Sequence, residues 1–182
     1  MGELAQLLVS DIATDAATGV TAIEFSEDES RGKRLKTLSS RRLVPVHPEL
    51  KRIGFLQFVE RVGTQAGEDA PLFSMLHQGA AGGHAAQWTK WFGRYVRQLG
   101  IRKPVFHSFR HGFKDALRAA GESEDINDAL TGHSRVGVGH RYGAKEMARR
   151  FGLQRLADAV AKVDYTGLDL SHLKWVPKAD SA

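Results

Sequence analysis

The stretch between His107 and Tyr142 decides how this chain is interpreted. It begins H-S-F-R-H-G-F-K-D-A-L-R-A-A-G and, after an acidic linker, continues L-T-G-H-S-R-V-G-V-G-H-R-Y. It contains a His-x-x-Arg pair, His107 and Arg110, and a Gly-His-Ser turn around His133. Tyr142 follows nine residues after that histidine.

These side chains suit an attack on a phosphodiester without a metal. Phosphoryl transfer places extra negative charge on the non-bridging oxygens, which a forked Arg and His donors stabilise. His107 and Arg110 supply such donors. A Tyr hydroxyl with a pKa of about 10 is a poor nucleophile, but nearby cations activate it. Arg135 and Arg141 lie close to Tyr142 in the sequence.

The order and spacing resemble the catalytic core of the tyrosine recombinases, the phage integrase family. In that family the order is Arg, Lys, His-x-x-Arg, His or Trp, and Tyr. Here Arg110 precedes His133 by 23 residues, and His133 precedes Tyr142 by nine. The resemblance covers nearly the whole chain. It implies site-specific DNA recombination or integration, by strand cleavage and rejoining through a covalent 3′-phosphotyrosyl intermediate.

The resemblance also implies a role for each matching side chain. Tyr142 would attack phosphorus, while His107, Arg110 and His133 would bind the non-bridging oxygens. In the family, a Lys in a K-T loop protonates the leaving 5′ oxygen, and Lys36 matches that Lys. A predicted β-hairpin carries this loop.

The two strands of the hairpin are read from the sequence pattern. Residues 20–25 (V-T-A-I-E-F) alternate as a strand, and R-R-L-V-P-V-H forms a second strand that ends at Pro48. Lys33 belongs to the same basic run and is the nearest rival of Lys36.

The first residues match part of another family motif, R-x-x-E-L-x-x-L. The segment E-L-A-Q-L at Glu3 matches its second half, and the Arg would fall just before Met1. We therefore expect a truncated gene or fragment that lacks the first catalytic Arg and the N-terminal DNA-clamping domain. Glu3 is expected to orient the site, and catalysis by this fragment is expected to be impaired.

Charge is distributed in blocks that suit a polyanion. The net charge is +5, and residues 1–30 hold seven acids and no Lys or Arg. Residues 31–52 hold eight Lys or Arg against one Glu, and residues 90–118 hold eight against one Asp. This clustering predicts a face for double-stranded DNA, with ordinary solvated helix faces as the alternative. The candidate DNA contacts are Lys33, Lys90, Arg94, Arg97, Arg135 and Arg141.

The pattern predicts an α+β, mainly helical domain with a small antiparallel sheet near the N-terminal third, as in the tyrosine recombinase catalytic-domain fold. We expect this domain at residues 1–163 and a C-terminal tail at 164–182. Helices are predicted at about 48–62, 85–99, 108–120 and 126–130, and again after Gly143. In the family such tails pack on a neighbouring protomer, and folding back in cis is the alternative.

The helix predicted at 85–99 carries an apolar stripe rich in aromatic residues. We interpret this stripe as core, with a base-stacking platform as the alternative. The polar side of the helix is the better candidate for contacting the DNA backbone. The stripe consists of Trp88, Trp91, Phe92, Tyr95, Val96 and Leu99.

Several classes of protein and site are disfavoured. The chain has no Cys, so disulfides and Cys-based zinc sites are excluded. No apolar run approaches the roughly 18 residues of a membrane span, and no signal-peptide pattern begins the chain. We expect a cytoplasmic protein that needs no cofactor and contacts no membrane. Tyr165 is a rival nucleophile that lacks the Gly-His-Ser spacing.

Three alternatives to a recombinase remain. The first is an integrase remnant that binds DNA without cleaving it, and the second is a type IB topoisomerase. The third is a zinc hydrolase, because His107 and His111 stand four residues apart and could be joined by His133 and His140. Cationic surroundings and the lack of an H-E-x-x-H arrangement disfavour a metal. For the full-length protein the family implies self-association, as a tetramer on DNA.

Overall fold

The computed structural model of the protein describes residues 2–37, 40–76, 86–101, 106–132 and 150–176. The described strands are β1 (Ile12–Thr14), β2 (Thr21–Phe25) and β3 (Arg42–Pro45). The described α-helices are α1 (Gly2–Ala5), α2 (Pro48–Arg52), α3 (Phe55–Ala66), α4 (Ala86–Gln98), α5 (Ser108–Ala119), α6 (Glu124–Thr131) and α7 (Leu153–Ala161). The predicted α+β class, with a small antiparallel sheet, is confirmed. The finer recombinase fold stays a prediction.

The sheet is antiparallel, with the strand order β1-β2-β3. Ile23 in the central strand pairs with Ile12 on one side and with Val44 on the other. The predicted hairpin is confirmed as β2 and β3, and Lys36 lies in the connection between them. The sequence interpretation missed β1, because three residues are too few for an alternating pattern to be recognised.

Two clusters of buried apolar side chains form the core of the described residues. The first cluster joins the N-terminal segment, β2 and α3 through Leu7, Val9, Phe25, Val59 and Leu72. The second joins α5, α6 and α7, with Leu117, Leu156 and Ala159 almost completely buried. Strand β3 contacts both α6 and α7. The sheet therefore connects the two clusters.

The helices around the quoted motif begin and end close to their predicted bounds. Helix α5 starts directly after His107, and Gly121, with φ 77°, follows its end. The Ser123 hydroxyl accepts a hydrogen bond from the Ile126 N–H, so α6 begins slightly earlier than the apolar pattern indicated. Gly132, with φ 68°, ends α6.

None of the helices in the described ranges has the length and apolar character needed to cross a bilayer.

The single helix predicted at 48–62 is wrong, because Gly54 divides it into α2 and α3. Gly54 has φ 94°, in the left-handed region. The Trp175 N–H donates a hydrogen bond to the Ile53 carbonyl at 2.7 Å, and its ring lies edge-on to Phe58 with centroids 6.3 Å apart. The described part of the tail thus folds back in cis at this break.

Replacing Gly54 with Ala should destabilise the protein more than replacing Gly19 with Ala. Both glycines have positive φ, so both variants incur about 1–2 kcal/mol of left-handed strain. A Cβ on Gly54 would lie 3.1 Å from the Trp175 Cβ, whereas a Cβ on Gly19 would meet nothing within 4 Å. Urea unfolding of the two variants measures the difference. Equal losses of stability would contradict the proposed docking of the tail.

Candidate functional site

A surface hollow of about 680 Å³ lies where α1, β2, β3, α5 and the end of α6 meet. Its walls are largely apolar. Phe25, Phe106, Phe109 and Phe113 all contribute to the lining. The five polar and charged side chains of the hollow come from four separate parts of the sequence, namely Glu3, Arg42, the pair His107 and Arg110, and Thr131.

Arg42 is the most deeply buried cation of the hollow, with 7% of its side chain exposed. Its two terminal nitrogens donate hydrogen bonds to the two carboxylate oxygens of Glu3, at 3.2 and 2.8 Å. It also donates to the Ser40 carbonyl at 2.7 Å and lies 4.2 Å from the centroid of the Phe25 ring. This forked contact, which a Lys could not reproduce, fixes the Glu3 carboxylate.

Arg110 lies in the first turn of α5, as predicted, close to the same carboxylate. Its terminal nitrogen is 3.9 Å from a Glu3 oxygen, and 27% of its side chain is exposed. Burial and the neighbouring Arg42 lower the pKa of Arg110, while Glu3 acts in the opposite direction. A guanidinium remains charged in such surroundings. The N-terminal end of α5 adds a favourable field for an anion.

The ionisation of Glu3 is set by the two guanidiniums. Burial raises the pKa of this carboxyl, but the hydrogen bonds and charge of Arg42, together with the charge of Arg110, outweigh that effect and lower the pKa below 4.5. Glu3 is therefore a carboxylate at neutral pH. One negative charge between two positive charges leaves this part of the hollow cationic.

His107 and His111 stand together at the start of α5. Their ring centroids are 4.9 Å apart, and the planes are nearly perpendicular at 83°. Loss of hydration, and then the charges of His111 and Arg110, lower the pKa of His107 below 6.5. Among the described residues, no group of three His, Cys, Asp or Glu side chains is arranged to hold a metal ion. The other two histidines of the zinc alternative, His133 and His140, lie outside the described ranges.

The end of α6 reaches the hollow directly before the Gly-His-Ser turn. Thr131 lines the hollow. A Cβ on Gly132 would lie 3.2 Å from an Arg42 nitrogen, so only a residue without a side chain fits comfortably there. The sequence continues from this point into His133. The remaining predicted site residues, His133, Arg135, Arg141 and Tyr142, lie outside the described residues.

The hairpin places its two candidate lysines differently. Lys36 is exposed in the connection between β2 and β3. Lys33 is buried, and its ammonium contacts an Asp11 carboxylate oxygen at 2.5 Å and the Ser26 hydroxyl at 3.0 Å. A buried ammonium held by a carboxylate anchors the hairpin and cannot reach DNA from this position. We therefore leave Lys33 out of the proposed DNA contacts.

The predicted α4 is confirmed, but the interpretation of its stripe as core is only partly right. Val96 is buried and Trp88 and Phe92 are half-buried, whereas Trp91, Tyr95 and Leu99 are exposed. The predicted DNA contacts Lys90, Arg94 and Arg97, which lie beside the stripe, are also exposed and line one small hollow. Helix α4 thus presents both aromatic and cationic side chains at the surface.

Sequence reasoning missed Arg42 as a residue of the site. It is the first residue of β3 and is followed by apolar positions, so its side chain falls at an inward-facing position of a half-buried strand. A charged residue at such a position is rarely buried without a partner. A charged residue at an inward-facing strand position was therefore the signal by which Arg42 could have been found.

Comparison of the chain with protein-family models, with curated proteins and with solved structures gave no match. The interpretation of the hollow therefore rests on its own residues and on the spacing of the quoted motif.

Replacing Arg42 with Lys should destabilise the protein by about 1.5–3 kcal/mol, the usual cost of losing hydrogen bonds to a charged group. The charge stays, but the fork that holds Glu3 is lost. The adjacent Arg41 is the matched control, since its side chain is 41% exposed and its contact with the Glu27 carboxylate is long, at 3.5 Å. Arg41→Lys should change the free energy of unfolding by less than about 0.5 kcal/mol. Denaturant titration compares the two, and equal effects would contradict the structural role of Arg42.

The expected binding of DNA should become tighter as the pH falls, because of His107. A bound phosphate favours the imidazolium and raises the His107 pKa above its value in the free protein, which lies below 6.5. Affinity should therefore increase as pH falls through the bound-state pKa, and should level off below the free-state pKa. Fluorescence anisotropy with a short duplex between about pH 7.5 and 5.5 measures this.

The His107→Gln variant should show a clearly smaller pH dependence. His172→Gln, at an exposed His of the tail, should behave like the original protein. If the affinity of His107→Gln depended on pH as strongly as that of the original protein, His107 would not contact phosphate.

Proposed function

We propose that this protein is a DNA strand transferase of the tyrosine recombinase type. The observation that carries the proposal is the shared hollow. His107 and Arg110 from α5 border the same space as Thr131, which stands two residues before His133. The hollow thus brings together residues more than 20 positions apart in the sequence, which supports the proposal. The interpretation of Tyr142 and His133 rests on their spacing in the sequence.

The charges of the hollow support phosphate as its ligand. Arg42 and Arg110 carry two positive charges against the single negative charge of Glu3, and His107 adds a further donor. A phosphodiester carries one negative charge, and more charge develops on its non-bridging oxygens as the nucleophile attacks. Fixed donors aimed at that charge lower the barrier without needing to reorganise.

The proposed reaction conserves the phosphodiester bond energy. The Tyr142 oxygen attacks phosphorus, the bond from phosphorus to the 5′ oxygen breaks, and a 3′-phosphotyrosyl ester forms. Lys36, exposed on the β2–β3 connection, donates a proton to the leaving 5′ oxygen. Attack by a 5′ hydroxyl then reverses the sequence and rejoins the strand. The proposed partners are double-stranded DNA and further copies of the protein on that DNA, in the cytoplasm.

Trapping of the covalent intermediate tests this function. A pool of nicked duplexes with randomised sequence is incubated with the protein, and adducts are separated under denaturing conditions. Loss of the short fragment beyond the nick prevents rejoining, so an active enzyme accumulates as an adduct. Tyr142→Phe should abolish the adduct, while Tyr165→Phe, at the rival tyrosine, should retain it.

The same assay tests whether Arg110 in the hollow contributes to adduct formation. Arg110→Ala should lower the rate of adduct formation by about 10²–10³, the usual effect of removing one preorganised donor. Arg118→Ala on the same helix should have little effect, because that side chain is 46% exposed and paired with Asp115 and Glu124. Binding without any adduct would indicate the remnant that only binds DNA. An adduct that persists in Tyr142→Phe would contradict the assignment of the nucleophile.

A further inference from the structure

A second surface groove, of about 790 Å³, lies between α3 and α4, with residues 72–76 along one side. Phe58, Phe73, Trp88 and Trp91 line it, so much of its wall is aromatic. None of the described residues that line the groove is an Asp or Glu. The groove is distinct from the hollow that contains Arg110.

Two cations form part of the same groove. Lys90 and Arg94 line it together with the tryptophans. They also line the adjoining small hollow of about 420 Å³, where Arg97 and Thr89 join them. A row of three cations therefore runs along α4 beside the aromatic wall. A ligand in the groove would have flat faces to stack on and positive charge along one edge.

The aromatic side chains of α4 contact one another along the helix. The ring centroids of Trp88 and Trp91 are 4.7 Å apart, and the two ring planes are tilted by 40°. The ring centroids of Trp91 and Tyr95 are 5.2 Å apart, and these two rings are stacked with nearly parallel planes, at 6°. Trp91 and Tyr95 are nevertheless 44% and 45% exposed. Exposed large aromatic side chains beside cations are the combination that binds single-stranded nucleic acid, because bases stack on the rings while phosphates contact the cations.

We propose that the groove between α3 and α4 binds an unpaired nucleotide of single-stranded DNA or RNA. The base packs against the exposed part of Trp91 within the groove, and the phosphates on either side contact Lys90, Arg94 and Arg97. Charge complementarity favours this occupant over a second copy of the chain, since two such cationic faces would repel each other. The inference is independent of the proposed strand transfer, which involves the other hollow.

Tryptophan fluorescence and anisotropy test the proposal with the full chain. The probe is a labelled thymidine oligomer of about 12 nucleotides, within the site sizes usual for such surfaces. The comparison probes are an abasic oligomer of equal length and a duplex. The thymidine oligomer should quench tryptophan fluorescence and bind at least several-fold more tightly than the abasic oligomer at the same salt concentration.

Two substitutions separate stacking from charge. Trp91→Leu should weaken binding of the thymidine oligomer by roughly tenfold, the loss of about one base stack, and leave the abasic oligomer unaffected. Lys90→Gln should weaken binding of both. Tyr165→Leu is the matched control, since Tyr165 is also 44% exposed but lies outside the groove. Trp91→Phe should restore most of the affinity, which distinguishes a lost stack from a folding defect.

Other outcomes would overturn the proposal. If the abasic oligomer binds as tightly as the thymidine oligomer, the surface recognises only charge. If no oligomer binds, and sedimentation shows self-association that Trp91→Leu abolishes, the groove is an interface between copies of the chain. Tyr142→Phe should not change binding of the thymidine oligomer, so failure of the proposed strand transfer and failure of this inference are distinguishable.

Discussion

The ion pair between Arg42 and Glu3 is the interaction on which the arrangement of the candidate site depends. Removing a guanidinium from water costs several kcal/mol, and three contacts compensate Arg42 for it. They are the Glu3 carboxylate, the Ser40 carbonyl and the face of Phe25. The pair joins residues 39 positions apart in the sequence. Gly132 lies against the same guanidinium, so α1, β3 and the end of α6 meet at one cation.

A second pair of contacts holds the other side of the hairpin. The Lys33 ammonium is buried against Asp11, and the side-chain amide of Gln6 exchanges two hydrogen bonds with the backbone of Arg34. The strands are thus anchored to the N-terminal segment at both ends of the connection, while Lys36 between the anchors is exposed.

Local patterns predicted most of the described helices and the β2–β3 hairpin, because periodicity and capping residues act over a few positions. Interactions across long sequence separations were not predictable. Gly54 interrupts a helix where Trp175 packs, 121 residues later. The burial of Arg42 depends in the same way on Glu3. Such partners become visible only when the elements are placed in three dimensions.

The interpretation of the α4 stripe as core was only partly right, for a different physical reason. Amphipathic periodicity identifies which face of a helix is apolar, but not whether another element covers that face. Trp88 and Val96 are at least partly covered, whereas Trp91 and Tyr95 on the same stripe are exposed. The sequence therefore located the helix and its two faces correctly. It could not distinguish core from an open aromatic surface.

The single carboxylate of the hollow resolves a conflict between stability and function. Burial lowers the pKa of Arg110, and repulsion by the neighbouring Arg42 guanidinium lowers it further. A second carboxylate would remove this repulsion, but it would also leave no net charge for an anion. Glu3 contacts Arg42 with both oxygens and lies 3.9 Å from Arg110, so it mainly neutralises the buried cation. The remaining positive charge stays on the more exposed Arg110, where a phosphodiester would meet it.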